Sequence, residues 1–212
     1  MADVIIIEKL TKKFNETEVL SNINVTFEKG KIHGLIGRNG SGKTMLMKCI
    51  CGLVPVTSGK ISINDKIIGK DIEIPENIGV IIENPGFIPN YSAYKNLYFL
   101  SKITSKIGKA EIRNAIQSVG LDPDNKKHVG KYSLGMKQRL GLAQAIMENP
   151  DILILDEPMN GLDKDGVNDM RKYLLKLKDQ GKTILIASHS SEDIEILCDT
   201  VSEMDKGILT VR

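Results

Sequence analysis

The sequence predicts an α/β fold with a mostly parallel core sheet, an N-terminal antiparallel β subdomain and an inserted helical subdomain. Three observations predict it. Ile152 to Leu155 and Thr183 to Ala187 are unbroken apolar runs, the pattern of parallel strands covered on both faces. The first third of the chain alternates short β-rich segments with turns, whereas the stretch from Pro85 to Asn149 carries helical spacing.

Taken in order, Val4 to Glu8 and Asn24 to Glu28 read as strands, and Lys60 to Ile63 with Ile67 to Ile68 flank an Asn64-Asp65 turn. Ile32 to Ile36 runs straight into glycines and then into a helix from Thr44 to Cys51, a strand-loop-helix sequence. Ile78 to Ile82 is a further buried-strand candidate. Helices are expected over Ala93 to Thr104, Lys109 to Val119 and Leu134 to Met147. Val167, Met170, Leu174 and Leu177 recur at helical spacing between the two apolar runs, as in a crossover helix. Val201 to Asp205 and Ile208 to Val211 form a closing hairpin around Lys206-Gly207. The expected division is one domain, 1–212, with an α/β core of about 1–84 and 150–212 and a helical subdomain of about 85–149.

Composition narrows the function. Apolar residues make up 41% and charged residues 26% of the 212, which is ordinary globular usage. A net charge of +2 and the lack of a Lys/Arg tract flanked by aromatics argue against a nucleic-acid partner. Cys49, Cys51 and Cys198 are too few and too poorly spaced for a disulfide framework, so a reduced, cytoplasmic chain with buried thiols is expected. No apolar run reaches the roughly 18 residues a membrane span needs, and the first residues lack a signal-peptide pattern. A membrane role would therefore come through another chain.

The residues that carry chemistry lie at the ends of the predicted core strands. Gly37-Arg38-Asn39-Gly40-Ser41-Gly42-Lys43-Thr44 matches a P-loop. Its glycines let successive N–H groups converge on phosphates, Lys43 bridges the terminal phosphates, and Thr44 ligates Mg²⁺. Asp156 emerges at the tip of the apolar strand that begins at Ile152, where it holds Mg²⁺ through water, and Glu157 beside it is placed to deprotonate the attacking water. His189 follows the next apolar strand, and an imidazole there donates a hydrogen bond to the γ-phosphate.

A second helix start also suits an anion. Ser133 is a good N-cap, Gly135 permits close approach, and the helix that follows directs its dipole at a negative charge. An ordinary capped helix would read the same way. The P-loop is already supplied by Gly37 to Thr44, however, so a second anion site calls for a second nucleotide.

Together these motifs resemble the ATP-binding-cassette (ABC) ATPases over essentially the whole chain. Gly37 to Thr44 look like Walker A, Tyr132 to Met136 like the family signature, and Ile152 to Glu157 like Walker B with its glutamate. Asn160-Gly161-Leu162-Asp163 looks like the D-loop, and His189 like the switch histidine. The resemblance implies ATP and Mg²⁺ as cofactors and a head-to-tail homodimer, or a heterodimer with another ABC ATPase subunit. In that arrangement Walker A of one subunit faces Ser133 and Gly135 of the other. It also makes Phe14 the adenine-stacking candidate and adds Asp163 to the nucleotide contacts.

Some positions depart from the commonest motifs. Leu134 and Met136 stand where Gly and Gln are usual, and Asn160-Gly161 replace a Ser-Ala pair, as in the drug- and peptide-export branch. Glu83 stands where the family has a glutamine that senses Mg²⁺ and the γ-phosphate, which makes it a third metal-ligand candidate. With Gly86-Phe87-Ile88-Pro89 after it, this looks like the ATPases of lantibiotic immunity and bacitracin-type peptide export. The expectation is an ATPase subunit peripheral on the inner face of the cell membrane. It would power export of an antimicrobial or amphiphilic peptide through separate transmembrane permease subunits. Glu83 and the loop to Ala93 would couple ATP state to them. A soluble ABC ATPase of DNA or ribosome metabolism is the alternative, disfavoured because neither a coiled-coil insertion nor a second cassette is present. A regulatory subunit without turnover is disfavoured by Glu157 and His189.

Overall fold

The computed structural model describes residues 3–83, 86–104 and 106–212, excluding the side chain of Thr104. Two sheets and a layer of helices build the chain. The first sheet contains β1 (Asp3–Phe14), β2 (Thr17–Glu28), β4 (Ser58–Ile63) and β5 (Lys66–Ile67) in the order β2-β1-β4-β5, all antiparallel. The second contains β3 (Ile32–Ile36), β6 (Ile78–Ile81), β7 (Ile152–Asp156), β8 (Thr183–Ala187), β9 (Thr200–Asp205) and β10 (Ile208–Val211). Its order is β10-β9-β3-β8-β7-β6, parallel except for the β9-β10 hairpin.

The helices are α1 (Lys43–Ile50), α2 (Ala93–Thr104), α3 (Lys109–Ser118), α4 (Leu134–Ile146), α5 (Lys164–Asp179) and α6 (Ser191–Leu197), with a 3-10 turn at Val129–Lys131. The segment holding α2 to α4 is inserted between β6 and β7, which are neighbours in the core sheet. The end of α4 lies against that sheet, because a Cβ on Gly79 of β6 would strike the backbone of Ala145.

The apolar runs are explained by strand alternation. Ile152 and Ile154 of β7 pack with β1, β2 and α1, while Leu153 and Leu155 pack with α2 to α5. β8 divides in the same way, with Leu185 and Ala187 on one side and Ile184 and Ile186 on the other. Both faces of the central strands are thus buried, so no polar residue interrupts them until the strand ends.

Two features exceed the sequence expectation. β1 and β2 are each twelve residues long, far beyond the segments read at Val4 to Glu8 and Asn24 to Glu28. Register shifts between Ile7 and Leu10, and positive φ angles at Lys9 (49°) and Asn22 (44°), break the period-two alternation that marks a strand. The other is α6, only seven residues long, too short to display helical periodicity. It is capped by Ser190, whose side chain accepts from the Asp193 N–H, and buries Ile194 and Leu197.

Candidate functional site

The C-terminal ends of β3, β7 and β8 converge at one edge of the core sheet, where an open α/β fold gathers its ligand groups. After β3 the chain curls through Gly37 (φ 146°), Gly40 (77°) and Gly42 (116°) into α1. At Gly37 no side chain fits: a Cβ would strike the Met204 carbonyl and approach Ser41 Oγ to 2.8 Å. α1 has no side-chain cap at Gly42 and no acidic residue in its first turn, so its first N–H groups and dipole are left to an anion. Ser41 Oγ, also in this loop, is buried and has no hydrogen-bond partner among the described residues.

Lys43 is 6% exposed, and its Nζ donates to the carbonyls of Gly37 (2.7 Å) and Arg38 (3.1 Å) across the loop. Thr44 Oγ1 donates to Asp156 Oδ2 at 2.6 Å. A hydroxyl and a carboxylate held together beside a phosphate-binding turn are the hard oxygen donors that Mg²⁺ takes, so these two residues fit that ion.

Glu157, next in the chain, has a left-handed backbone (φ 50°), which costs a non-glycine residue of order 1 to 3 kcal/mol. Three bonds hold it there. Its N–H donates to the Ala187 carbonyl at 2.9 Å, and its carbonyl accepts from the Asn160 N–H (3.2 Å) and from Nε2 of the buried Gln138 (3.2 Å). The Glu157 carboxylate then meets His189 Nδ1 at 2.8 Å.

The His189 side chain is 67% exposed, yet the backbone around it is braced. Ser188 Oγ accepts from the Ser190 N–H (3.1 Å) and donates to Asp193 (3.3 Å). Asp193 in turn accepts from Arg171 Nε (2.8 Å) and Nη2 (2.5 Å). Bonds to Glu192 and Asp193 hold the Arg171 guanidinium above its usual pKa. A cavity of about 300 Å³ beside this pair is lined by Glu157, Asn160, Lys164, Ser188 and His189.

The signature segment starts at buried Tyr132 and exposed Ser133, whose Oγ caps α4 by accepting from the Met136 N–H at 3.2 Å. α4 shares with α1 and α2 the lack of a first-turn acid, in contrast to α3, α5 and α6. Two of the motif departures, Leu134 and Gly161, lie against each other: a Cβ on Gly161 would run into the Leu134 side chain. Asp163, expected at a nucleotide, has its side chain engaged as the cap of α5, accepting from the Gly166 N–H at 2.9 Å.

Arg38, Asn39 and Gly40 form the exposed tip of the P-loop. Phe14, at the end of β1, is 47% exposed, with Lys12 Nζ 4.5 Å from its ring centroid. Among the described residues Glu83 makes no hydrogen bond to the Thr44–Asp156 pair. It follows β6 with φ 60°, is 64% exposed, and pairs at 2.6 Å with Lys48, one turn along α1 from Thr44. The ammonium offsets the charge that a carboxylate brings toward a polyanion. Asn84 and Pro85 of the expected coupling loop lie outside the described residues.

Gln138, Arg171 and Asp193 went unnoticed in the sequence, because burial and partnership across α4, α5 and α6 leave no local pattern. Burial pushes the thiols of Cys49 up to about 11 and of Cys51 and Cys198 up to about 12, which keeps them protonated and unreactive.

A P-loop, a strand-tip acid pair and a histidine on adjacent parallel strands define a nucleotide-hydrolysing cassette. The family model for ABC transporters matches residues 20–160, and the chain belongs to that family, as an ATPase subunit of transporters. It is 51% identical over 200 residues to the ABC transporter ATP-binding protein YybJ of Bacillus subtilis (strain 168), covering 94% of this chain and 92% of the relative. It is 44% identical over 211 residues to the bacitracin transport ATP-binding protein BcrA of Enterococcus faecalis, covering 99% of this chain and 68% of that protein. The lantibiotic transport ATP-binding protein SrtF of Streptococcus pyogenes is 39% identical over 204 residues, with 95% and 86% coverage. The fold matches the cassette MJ0796 in a dimeric post-hydrolysis state bound to ADP and Pi, at a TM-score of 0.88 and 20% identity over 98% and 97% of the two chains.

Proposed function

We propose that this chain closes head-to-tail with a second copy, or with another cassette, on two ATP molecules and thereby drives separate transmembrane permease subunits. The observation that carries this reading is the Glu157–His189 contact at the strand tips, beside the Thr44–Asp156 pair. Phe14 offers its exposed face to adenine, and residues 37–44 with Lys43 hold the phosphates. Ser133 and Gly135 supply the second anion contact from the partner, and Asp163 holds the D-loop next to it. Thr44 and Asp156 would hold Mg²⁺, which when bound neutralises phosphate charge and orients the terminal phosphoryl group.

Glu157 accepts a proton from water as the water oxygen bonds to the γ-phosphorus and the bond to the ADP oxygen breaks. His189 orients that carboxylate by donating its Nδ1–H, and its Nε2 donates to the phosphate oxygens in the doubly protonated ring. Departure of phosphate removes the charge that both subunits share, and the dimer reopens.

The helical subdomain, about 85–149, and the core, about 1–84 and 150–212, form the two parts that closure moves. The insertion of α2 to α4 between two adjacent core strands supports this division. Among the described residues no helix is long and apolar enough to cross a membrane; in this reading separate permease subunits supply the spans and this chain sits on the inner face. The bacitracin and lantibiotic transport relatives favour an antimicrobial or amphiphilic peptide as cargo, exported, over a DNA or ribosome role.

Glu157→Gln tests the hydrolytic assignment. It is expected to lower ATPase turnover by about 10² to 10⁴ while trapping an ATP-bound dimer on size exclusion. Wild-type turnover in that variant overturns the assignment. For the cargo, deleting the chain in its host should sensitise cells to a bacitracin- or lantibiotic-type peptide, and unchanged sensitivity counts against peptide export.

A further inference from the structure

Leu134 opens α4 and Gly161 lies in the turn before α5. They pack so closely that a Cβ on Gly161 would collide with Cγ and Cδ2 of Leu134 and sit 3.0 Å from its Cβ. The approach is reciprocal. A Cβ on Gly135 would come to 2.8 Å from the Gly161 carbonyl oxygen and 3.3 Å from Cδ2 of Leu162. Backbone thus lies almost on backbone, with Leu134 wedged between the two turns. Leu134 is nonetheless 55% exposed, so core burial does not account for a large apolar side chain at the start of this helix.

One to two turns further along α4 the same two elements are fastened again. Arg139 Nη2 lies 3.3 Å from Asp169 Oδ2 of α5 and 3.2 Å from where a Cβ on Gly166 would stand. Its Nη1 donates to the Val119 carbonyl at 2.8 Å, which adds the end of α3 to the clamp. The Leu134–Gly161 contact also reaches the hydrolytic centre, because Asn160, next to Gly161, donates its N–H to the Glu157 carbonyl.

We infer that Leu134 is a positioning residue. With Gly161 it locks the signature turn, residues 133–135, to the D-loop turn, residues 160–163, so that the two meet a partner subunit as one rigid surface. This rests on the two-subunit reading above. Atoms this close leave neither turn room to move toward the other, so a displacement of one is passed to the other. When the partner's nucleotide pulls on Ser133, the pull is delivered through Gly161 and Asn160 to the backbone of Glu157.

A double-mutant cycle in ATPase turnover of the full chain tests this, using Leu134→Gly, Gly161→Ala and both together. Alanine at Gly161 carries a backbone penalty at φ 76° in either background, whereas the collision exists only when Leu134 is present. Gly161→Ala is expected to lower kcat about tenfold in the native background and less than about twofold beside Leu134→Gly, with the KM for ATP unchanged. An equal loss in both backgrounds overturns the inference. Should Gly161→Ala not fold, Leu134→Ala opens the contact without adding an atom and is expected to lower kcat about threefold at constant KM. A native kcat there also overturns it. The same preparations carrying Glu157→Gln separate the two proposals. No ATP-dependent dimer in the otherwise native chain defeats the two-subunit reading, whereas a dimer with an additive cycle defeats only the role of Leu134.

Discussion

The two helices whose starts suit an anion, α1 and α4, are built in opposite ways. α1 starts inside its own chain: Lys43 is buried, Met204 blocks the loop from one side, and Thr44 is bonded to Asp156. α4 starts at the surface, with Ser133 and Leu134 exposed and Ser133 accepting from the Met136 N–H at its Oγ and from the Lys137 N–H at its carbonyl. One chain therefore carries an enclosed glycine-rich loop and a second, exposed helix start. On the two-subunit reading proposed above, the contrast assigns binding to one end of the molecule and turnover to both.

The largest effect that would break this contrast is at the cradle. Lys43→Ala is expected to reduce turnover about a hundredfold or more and to weaken ATP binding to the isolated chain, read by calorimetry. Binding that survives intact would mean the P-loop is not the primary site. At the other end, Ser133→Ala should lower kcat about tenfold, and ATP affinity of the isolated chain should stay unchanged. A loss of affinity there would erase the distinction between the ends.

Gln138 sharpens the comparison, since it sits in the signature helix yet bonds the Glu157 carbonyl. Gln138→Leu should lower kcat by a factor of about five to ten with KM constant, through a looser Glu157 backbone. A change in KM alone would place Gln138 in binding instead.

The smallest effect concerns the footing of the cradle. His33 of β3 is buried, with Nδ1 against Thr200 Oγ1 at 2.7 Å and Nε2 against the Glu28 carbonyl at 2.9 Å. Burial pushes its pKa below the usual 6.5. The unfolded chain then takes up a proton more readily than the folded one, so this contribution is full above about pH 6.5 and is lost as pH falls below it. His33→Gln should flatten the decline of Tm between pH 7 and pH 5 by a few degrees, given about 2 to 4 °C per kcal/mol in a chain of this size. An unaltered slope would show that other groups set it.

Much of this was legible in the residues. Ile152 to Leu155 and Thr183 to Ala187 announced the central strands because a strand buried on both faces tolerates no polar residue. Asp156, Glu157 and His189 stood out because they end such runs. Glu83 shows where reading by motif stops: its partner is Lys48, on a helix that begins forty residues earlier in the chain. β1 and β2 were read short because their bulges scramble the alternation, and α6 was missed because seven residues do not complete a pattern.

By itself the sequence determined the local chemistry: which loop curls on glycines, which strands are buried, and which side chains end them. These follow from neighbours in the chain, through backbone freedom and the spacing of apolar residues. Only the tertiary structure decided who meets whom: Thr44 with Asp156, Glu157 with His189 and Gln138, Glu83 with Lys48, and Leu134 with Gly161. Such pairings join residues far apart in sequence. They depend on the order β3-β8-β7 in the sheet and on how closely α4 approaches α5, and no local pattern encodes either.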